Sequence, residues 1–149
     1  MVSPVESIIE MLRLEPLADE GGLWSQVLID EHSTAIFYLL QGHDFSALHR
    51  LPGPEVYHHY MGAPLEMLLL HPDGSASRPV LGIDLTAGQR PAVVVPGGVW
   101  QGSRSRGAWT LVGTTMSPPF RFGDLQLGDP DGLCDSYPAV TSDIRSLTR

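Results

Sequence analysis

The sequence predicts a single all-β domain, a barrel or sandwich preceded by one short helix. Three observations carry that prediction. Short apolar runs recur along most of the chain, and clusters such as Pro72-Asp73-Gly74 separate them. Sixteen glycines and thirteen prolines in 149 residues supply turns for many short strands rather than for long helices. No repeat or linker divides the chain, and 149 residues is a common size for one core.

Taken in order, Ser3-Pro4-Val5-Glu6 is a capping box with Pro at the first helical position. Ile8, Ile9 and Leu12 follow at helical spacing, so a short amphipathic helix is expected from Pro4 to Arg13, within an N-terminal segment 1–15. After Gly21-Gly22 the period changes, and residues 20–127 are assigned to the β unit. Strands are expected at Leu23–Ile29, Thr34–Leu40, Val56–Met61, Leu65–Leu70, Val80–Leu85, Ala92–Val95 and Ala108–Thr115. Many short strands with turns between them argue a closed barrel or two packed sheets. The tail, 128–149, is polar and turn-rich; it either wraps the β unit or stays partly disordered.

Composition narrows the function. The net charge is −8, there is no Lys, and the nine Arg are scattered, which disfavours a nucleic-acid partner. No apolar run is long enough to span a bilayer, and the N-terminus lacks the basic start and apolar stretch of a signal peptide. Cys134 is the only cysteine, so no internal disulfide forms and a Cys-based zinc site is disfavoured. A reducing cytoplasmic location fits, with no membrane partner.

Two motif frames are present. Gly42 precedes His49-Arg50-Leu51, Glu55 comes after a Pro52-Gly53-Pro54 turn, and Gly62 closes the frame. Further on, Gly88 leads to Pro96-Gly97-Gly98-Val99-Trp100-Gln101. These resemble the two motifs of the cupins. Glu20-Gly21-Gly22, Ser33-Thr34, Ser46, Glu55-Val56-Tyr57-His58, Trp100-Gln101 and Leu111-Val112-Gly113 sharpen the resemblance to the DUF985 (Cupin_5) family over roughly residues 10–127. The resemblance implies a cupin, RmlC-like jelly-roll β-barrel shaped like the sugar-nucleotide epimerases. One departure stands out: relatives carry His-Pro before Glu-Gly-Gly, and this chain has Ala18-Asp19.

Strand alternation places Glu55, Tyr57, His59 and Met61 on one face, inward if the cupin frame holds. His49 is expected beside Glu55 across the tight turn, and Trp100 is expected to supply an aromatic wall. Tyr38, Ser46, Leu51, Met61, Trp100 and Gln101 are the expected substrate-binding residues. A full cupin metal site offers three His and one Glu. Here Leu51 replaces one His, and Trp100 is read as replacing the second-motif His, leaving His49 and Glu55. His59 would be the third ligand if a divalent metal binds, since two His and a carboxylate form a known set. The metal-free reading is preferred, with no cofactor, because Leu and Trp suit an organic ligand.

Without metal, a carboxylate beside an imidazole fixes its tautomer and favours proton transfer. His49 and Glu55, with Tyr57 or His59 as acid, then suit an isomerase, epimerase or lyase acting on a carbonyl metabolite. The alternatives are a passive binding module, a metal-dependent oxygenase or isomerase, and a merely structural His49–Glu55 pair. Arg50 and His58 are expected to face outward. His32, His43 and His71 are expected in solvated loops, Trp24 and Trp109 in the core, and Phe120 and Phe122 closing the barrel. A homodimer is expected, with residues 20–29 as the paired or exchanged edge.

Overall fold

The computed structural model describes residues 1–149. Helix α1 runs Pro4–Met11, with the Ser3 hydroxyl accepting from the Glu6 N–H and the Glu6 carboxylate accepting from the Ser3 N–H. It stops before the expected Arg13, which takes a left-handed backbone (φ 55°) and turns the chain into the sheet. The helix places Val5, Ile8, Ile9 and Leu12 against Leu39 and Leu111 on the outer face of the first sheet.

Two antiparallel sheets face one another as a jelly roll; no strand pair joins them into a continuous barrel. The first contains, in spatial order, β1 (Glu15–Pro16), β2 (Leu23–Ile29), β3 (Thr34–Gln41), β11 (Trp109–Met116), β5 (Glu55–Gly62) and β9 (Ala92–Val95). The second contains β12 (Gln126–Leu127), β4 (Ser46–Arg50), β10 (Trp100–Ser105), β6 (Leu65–Leu70) and β7 (Ala76–Ser77), with β8 (Val80–Leu81) also on β6. The core between them contains Tyr38, Leu40, Tyr57, Met67, Leu69, Leu81, Val95 and Val112. Burying each large apolar side chain there contributes about 1.5–3 kcal/mol.

Two local outcomes differ from the sequence expectation, and the tail takes its wrapping alternative. Strand β8 ends at Leu81, because Asp84 caps a 3-10 turn over Leu85–Ala87. Strands β4 and β10, absent from the predicted set, form the middle of the second sheet. The tail is ordered: α2 (Pro130–Ser136) and α3 (Thr141–Ser146) lay Leu133, Tyr137, Val140, Ile144 and Leu147 over Leu48, Leu68 and Leu70. No helix is long and apolar enough to cross a membrane.

Strand β2 is only partly covered at its outer edge. Strand β1 pairs with Leu23 and Trp24 alone, and Val27, Leu28 and Ile29 beyond it are exposed.

Candidate functional site

A cavity of about 120 Å³ opens between the sheets at one end of the jelly roll. Its polar floor is Glu20, Tyr38, His49, Glu55 and Thr114; its walls include Leu17, Ile36, Leu51 and Met116; the rest of the lining includes Trp24, Thr34, Phe120, Arg121 and Phe122.

His49 and Glu55 arrive together because two motif turns pack tightly. Gly98 N–H donates to the Leu51 carbonyl at 2.8 Å, and a Cβ on Gly97 would lie 2.2 Å from the Pro52 carbonyl oxygen. Only glycine permits that approach. The register Gln101↔His49 then sets both side chains on the inner face.

The two residues do not hydrogen-bond each other as expected. His49 Nδ1 lies 2.7 Å from the Ala47 carbonyl oxygen, which can only accept, so Nδ1 carries a hydrogen. Nε2 is thereby left with its lone pair free, and it faces Glu20 Oε1 at 3.5 Å. Glu55 instead accepts from Gln101 Nε2 at 3.0 Å, and Gln101 Oε1 accepts from the Tyr57 hydroxyl at 2.6 Å. Burial pushes the Glu55 pKa above its ordinary value; the nearby His49 opposes that rise, and Glu20 adds to it. Glu55 therefore holds its proton more readily than an exposed carboxyl group does.

Glu20 is the residue that sequence reasoning missed as a site group. It sits in a turn where Asp19, Gly21 and Gly22 all have positive φ, at 67°, 99° and 77°. A Cβ on Gly22 would press within 2.7 Å of the Tyr38 ring, so the Glu-Gly-Gly run is a steric requirement of this approach. The Ala47 N–H donates to the Glu20 carbonyl at 2.7 Å, and the Ser46 hydroxyl donates to Glu20 Oε1 at 3.1 Å. The Glu-Gly-Gly motif was the available signal; Ala18 and Asp19 before it are exposed.

The other expected site residues divide. Tyr38 and Leu51 line the cavity; the Tyr38 hydroxyl donates to the Gly21 carbonyl at 2.6 Å. Burial first, then Glu20, holds the Tyr38 phenol well above its usual pKa. Tyr57 is buried behind the cavity, and with its hydroxyl held by Gln101 it does not reach the space. Burial first, and then Glu55, pushes its pKa well above the usual phenol range. Ser46 and Gln101 likewise act through Glu20 and Glu55 rather than lining the cavity.

His59 shares the inner-face register with Glu55 and Tyr57, but lies four residues along the strand. At a rise of about 3.4 Å per residue this separates it from Glu55 by roughly 13–14 Å. Its Nε2 donates to the Ala63 carbonyl at 3.1 Å, while its Nδ1 is buried without a partner. A bulge follows: Val112 pairs with His59 and Leu111 with Met61, leaving Tyr60 as the extra residue. Met61 is thus turned outward and exposed rather than lining the pocket.

Trp100 also points outward, packing under the tail helices with the Arg50 guanidinium 4.6 Å above its ring. Gln101, not Trp100, occupies the inward position of the second motif. The aromatic wall comes from Trp24, Phe120 and Phe122, whose rings meet edge to face at 6.1 Å and 4.8 Å. Trp24 therefore lines the cavity, whereas Trp109 packs with the α1 cluster. His71 lies in the loop after β6, half-buried and bonded to Ser77 rather than fully solvated.

These positions do not fit the cupin metal set. Leu51 and Gln101 stand in two ligand places, and His59 is at the far end of the strand. No three His, Cys, Asp or Glu side chains are grouped to hold a metal ion.

The Cupin superfamily (DUF985) model matches residues 6–128. This chain belongs to the DUF985 family. Protein SO0799 from Shewanella oneidensis is 30% identical, with a TM-score of 0.92 and 99% of each chain covered. A hypothetical protein from Leishmania major is 24% identical at a TM-score of 0.90, covering 98% of this chain and 99% of that one. The R92A mutant of Bacillus subtilis oxalate decarboxylase shares the fold at 10% identity and a TM-score of 0.61, covering 90% of this chain and 37% of that one. No curated protein matches the chain. The DUF985 cavity described above thus sits in a cupin jelly roll whose usual ligand places are altered.

Proposed function

We propose that this DUF985 protein is a metal-independent acid–base enzyme, an isomerase, epimerase or lyase acting on a small carbonyl compound. The observation that carries this reading is His49: its Nδ1–H is tied to Ala47, so Nε2 is the nitrogen offered to the cavity beside Glu20. At 3.5 Å the Nε2–Glu20 contact is longer than a closed charge-assisted hydrogen bond, so the lone pair stays open to a substrate C–H.

In the proposed step, His49 Nε2 takes a proton from the carbon beside the carbonyl. The electron pair moves to the carbonyl oxygen, which receives the Glu55 proton, leaving an enol, an imidazolium and a carboxylate. Glu20 stabilises the imidazolium. Return of a proton to the opposite face gives epimerisation, to another carbon gives isomerisation, and loss of a β-substituent gives a lyase outcome. Tyr57 and Gln101 position Glu55 without touching substrate.

The test is incubation with small carbonyl metabolites in D₂O, with NMR detection of loss of the α-proton signal. Wild type is expected to exchange deuterium into at least one compound, with His49→Ala and Glu55→Gln slower by about 10²-fold or more. Exchange unchanged in both variants refutes the proposal. Tight binding with no exchange would instead make the cavity a passive binding site.

A further inference from the structure

We propose that the cavity takes a small monocarboxylate, with Arg121 holding its anionic group at the wall while its carbonyl end faces Glu20, His49 and Glu55. The inward direction of the carbonyl rests on the proton-transfer reading; the binding itself does not.

The first observation is an unmatched cation. The chain has seventeen acidic residues and nine arginines, so each guanidinium has ample choice of partner. Seven arginines make side-chain hydrogen bonds within the chain, among them Arg50 to Gln126, Arg106 to Glu66 and Arg149 to Asp44. Arg13 and Arg121 are the two that make none, and Arg13 is exposed beyond the end of α1. Arg121 is set in the cavity wall between Phe120 and Phe122, and also borders the adjoining proline-lined groove at Pro118 and Pro119. Asp124 borders that groove too, yet forms no ion pair with it. A planar fork with five free donors beside an apolar cavity is suited to a carboxylate.

The second observation is the polarity of the space. Its floor holds the Glu20 carboxyl beside Glu55 and no guanidinium, so an anionic group is disfavoured there and attracted at Arg121. That gradient orients the ligand. Between the two ends, Leu17, Trp24, Ile36, Leu51 and Met116 require an apolar body. The cavity of about 120 Å³ limits its size. Since one water-sized group needs roughly 10–15 Å³ by the same measure, the enclosed part holds about ten non-hydrogen atoms. The ligand class is thus an oxo acid whose ketone and carboxylate are separated by a short apolar chain, rather than a nucleotide sugar enclosed whole.

The experiment is isothermal titration of 5-oxohexanoate and 6-oxoheptanoate, each alongside its neutral amide, into wild type and Arg121→Gln. At least one acid is expected to bind about tenfold tighter than its amide, and the preference to shrink at high salt. Arg121→Gln, a change at an exposed side chain, is expected to weaken the acid about tenfold and leave the amide unchanged, with Arg121→Lys restoring part of the loss. Equal binding of acid and amide, an acid affinity untouched by Arg121→Gln, or no binding of either acid overturns the proposal. Deuterium exchange separates the two readings. Arg121-dependent binding without exchange supports the clamp and refutes the proton transfer. Exchange into neutral carbonyls that Arg121→Gln leaves intact, with no acid preference, does the reverse.

Discussion

Replacing Gln101 by Met keeps the side-chain length and removes both polar contacts of the Glu55–Gln101–Tyr57 chain, at 3.0 Å and 2.6 Å. The Tyr57 hydroxyl, in a fully buried residue, is left without an acceptor, which costs about 1–3 kcal/mol. Glu55 loses its amide donor, worth about 1 kcal/mol when the acid is neutral. The single change is therefore expected to destabilise by about 2–4 kcal/mol. Tyr57→Phe alone strands the Gln101 oxygen and costs about 1–3 kcal/mol. The double variant leaves neither a stranded hydroxyl nor a stranded amide, so its cost should fall short of the sum by about 1–2 kcal/mol. Urea unfolding of the four proteins, at constant m-value, measures this directly. The same Gln101→Met change removes a donor to ionised Glu55, so the Glu55 titration should move further upward in an NMR pH series. Additivity within about 0.5 kcal/mol would show that the chain is not a coupled unit.

Two further outcomes follow from other parts of the molecule. Because the folded state raises the Glu55 pKa, it binds that proton more tightly than the unfolded chain does. The corresponding stability is full below the ordinary carboxylate range and is lost as pH rises through the folded value. Glu55→Gln should therefore be more stable than wild type at neutral pH, with the two curves converging in acid; parallel curves would refute the sign. For assembly, we propose a homodimer formed along the uncovered part of β2, where Val27, Leu28 and Ile29 are exposed. Sedimentation equilibrium at micromolar concentration should give twice 16.2 kDa, and Val27→Lys should give the monomer. A monomeric wild type removes the proposal.

Much of the first sheet was legible because its strands carry apolar residues on both faces, one toward Tyr57 and one toward α1. Strands β4 and β10 were not. Their inner face is polar, with Ser46, His49, Gln101 and Ser103, while Leu48 and Trp100 point outward beneath α2 and α3. An apolar-in reading inverts there, since the outer cover comes from a tail whose own pattern is weak. The exchange of Trp100 for Gln101 is a one-residue slip in the motif frame, since after Pro96-x-Gly98 and two further residues the place falls at Gln101; with a period of two, such a slip reverses the face. Alternation correctly carried Glu55, Tyr57 and His59 inward, but the bulge at Tyr60, set by pairing with β11, turned Met61 away. Glu20 was visible as part of Glu-Gly-Gly. Its contact with His49 depends on a turn closed against Tyr38 and Asp44, and those long-range contacts leave no local signature.

The turn that delivers Glu20 is also held from far downstream. Asp44 accepts from Gly22 N–H through one oxygen and from Arg149 through the other, and Arg149 also donates to the Phe45 carbonyl. During synthesis, Glu20 is therefore made long before its last support. At about 5–20 residues per second, the ribosome needs roughly 6–26 s to travel from Glu20 to Arg149. Throughout that interval the nascent chain holds the acid without its guanidinium staple. The cavity floor gains this tie only once Arg149 has been made, so a nascent chain stalled before Arg149 lacks it.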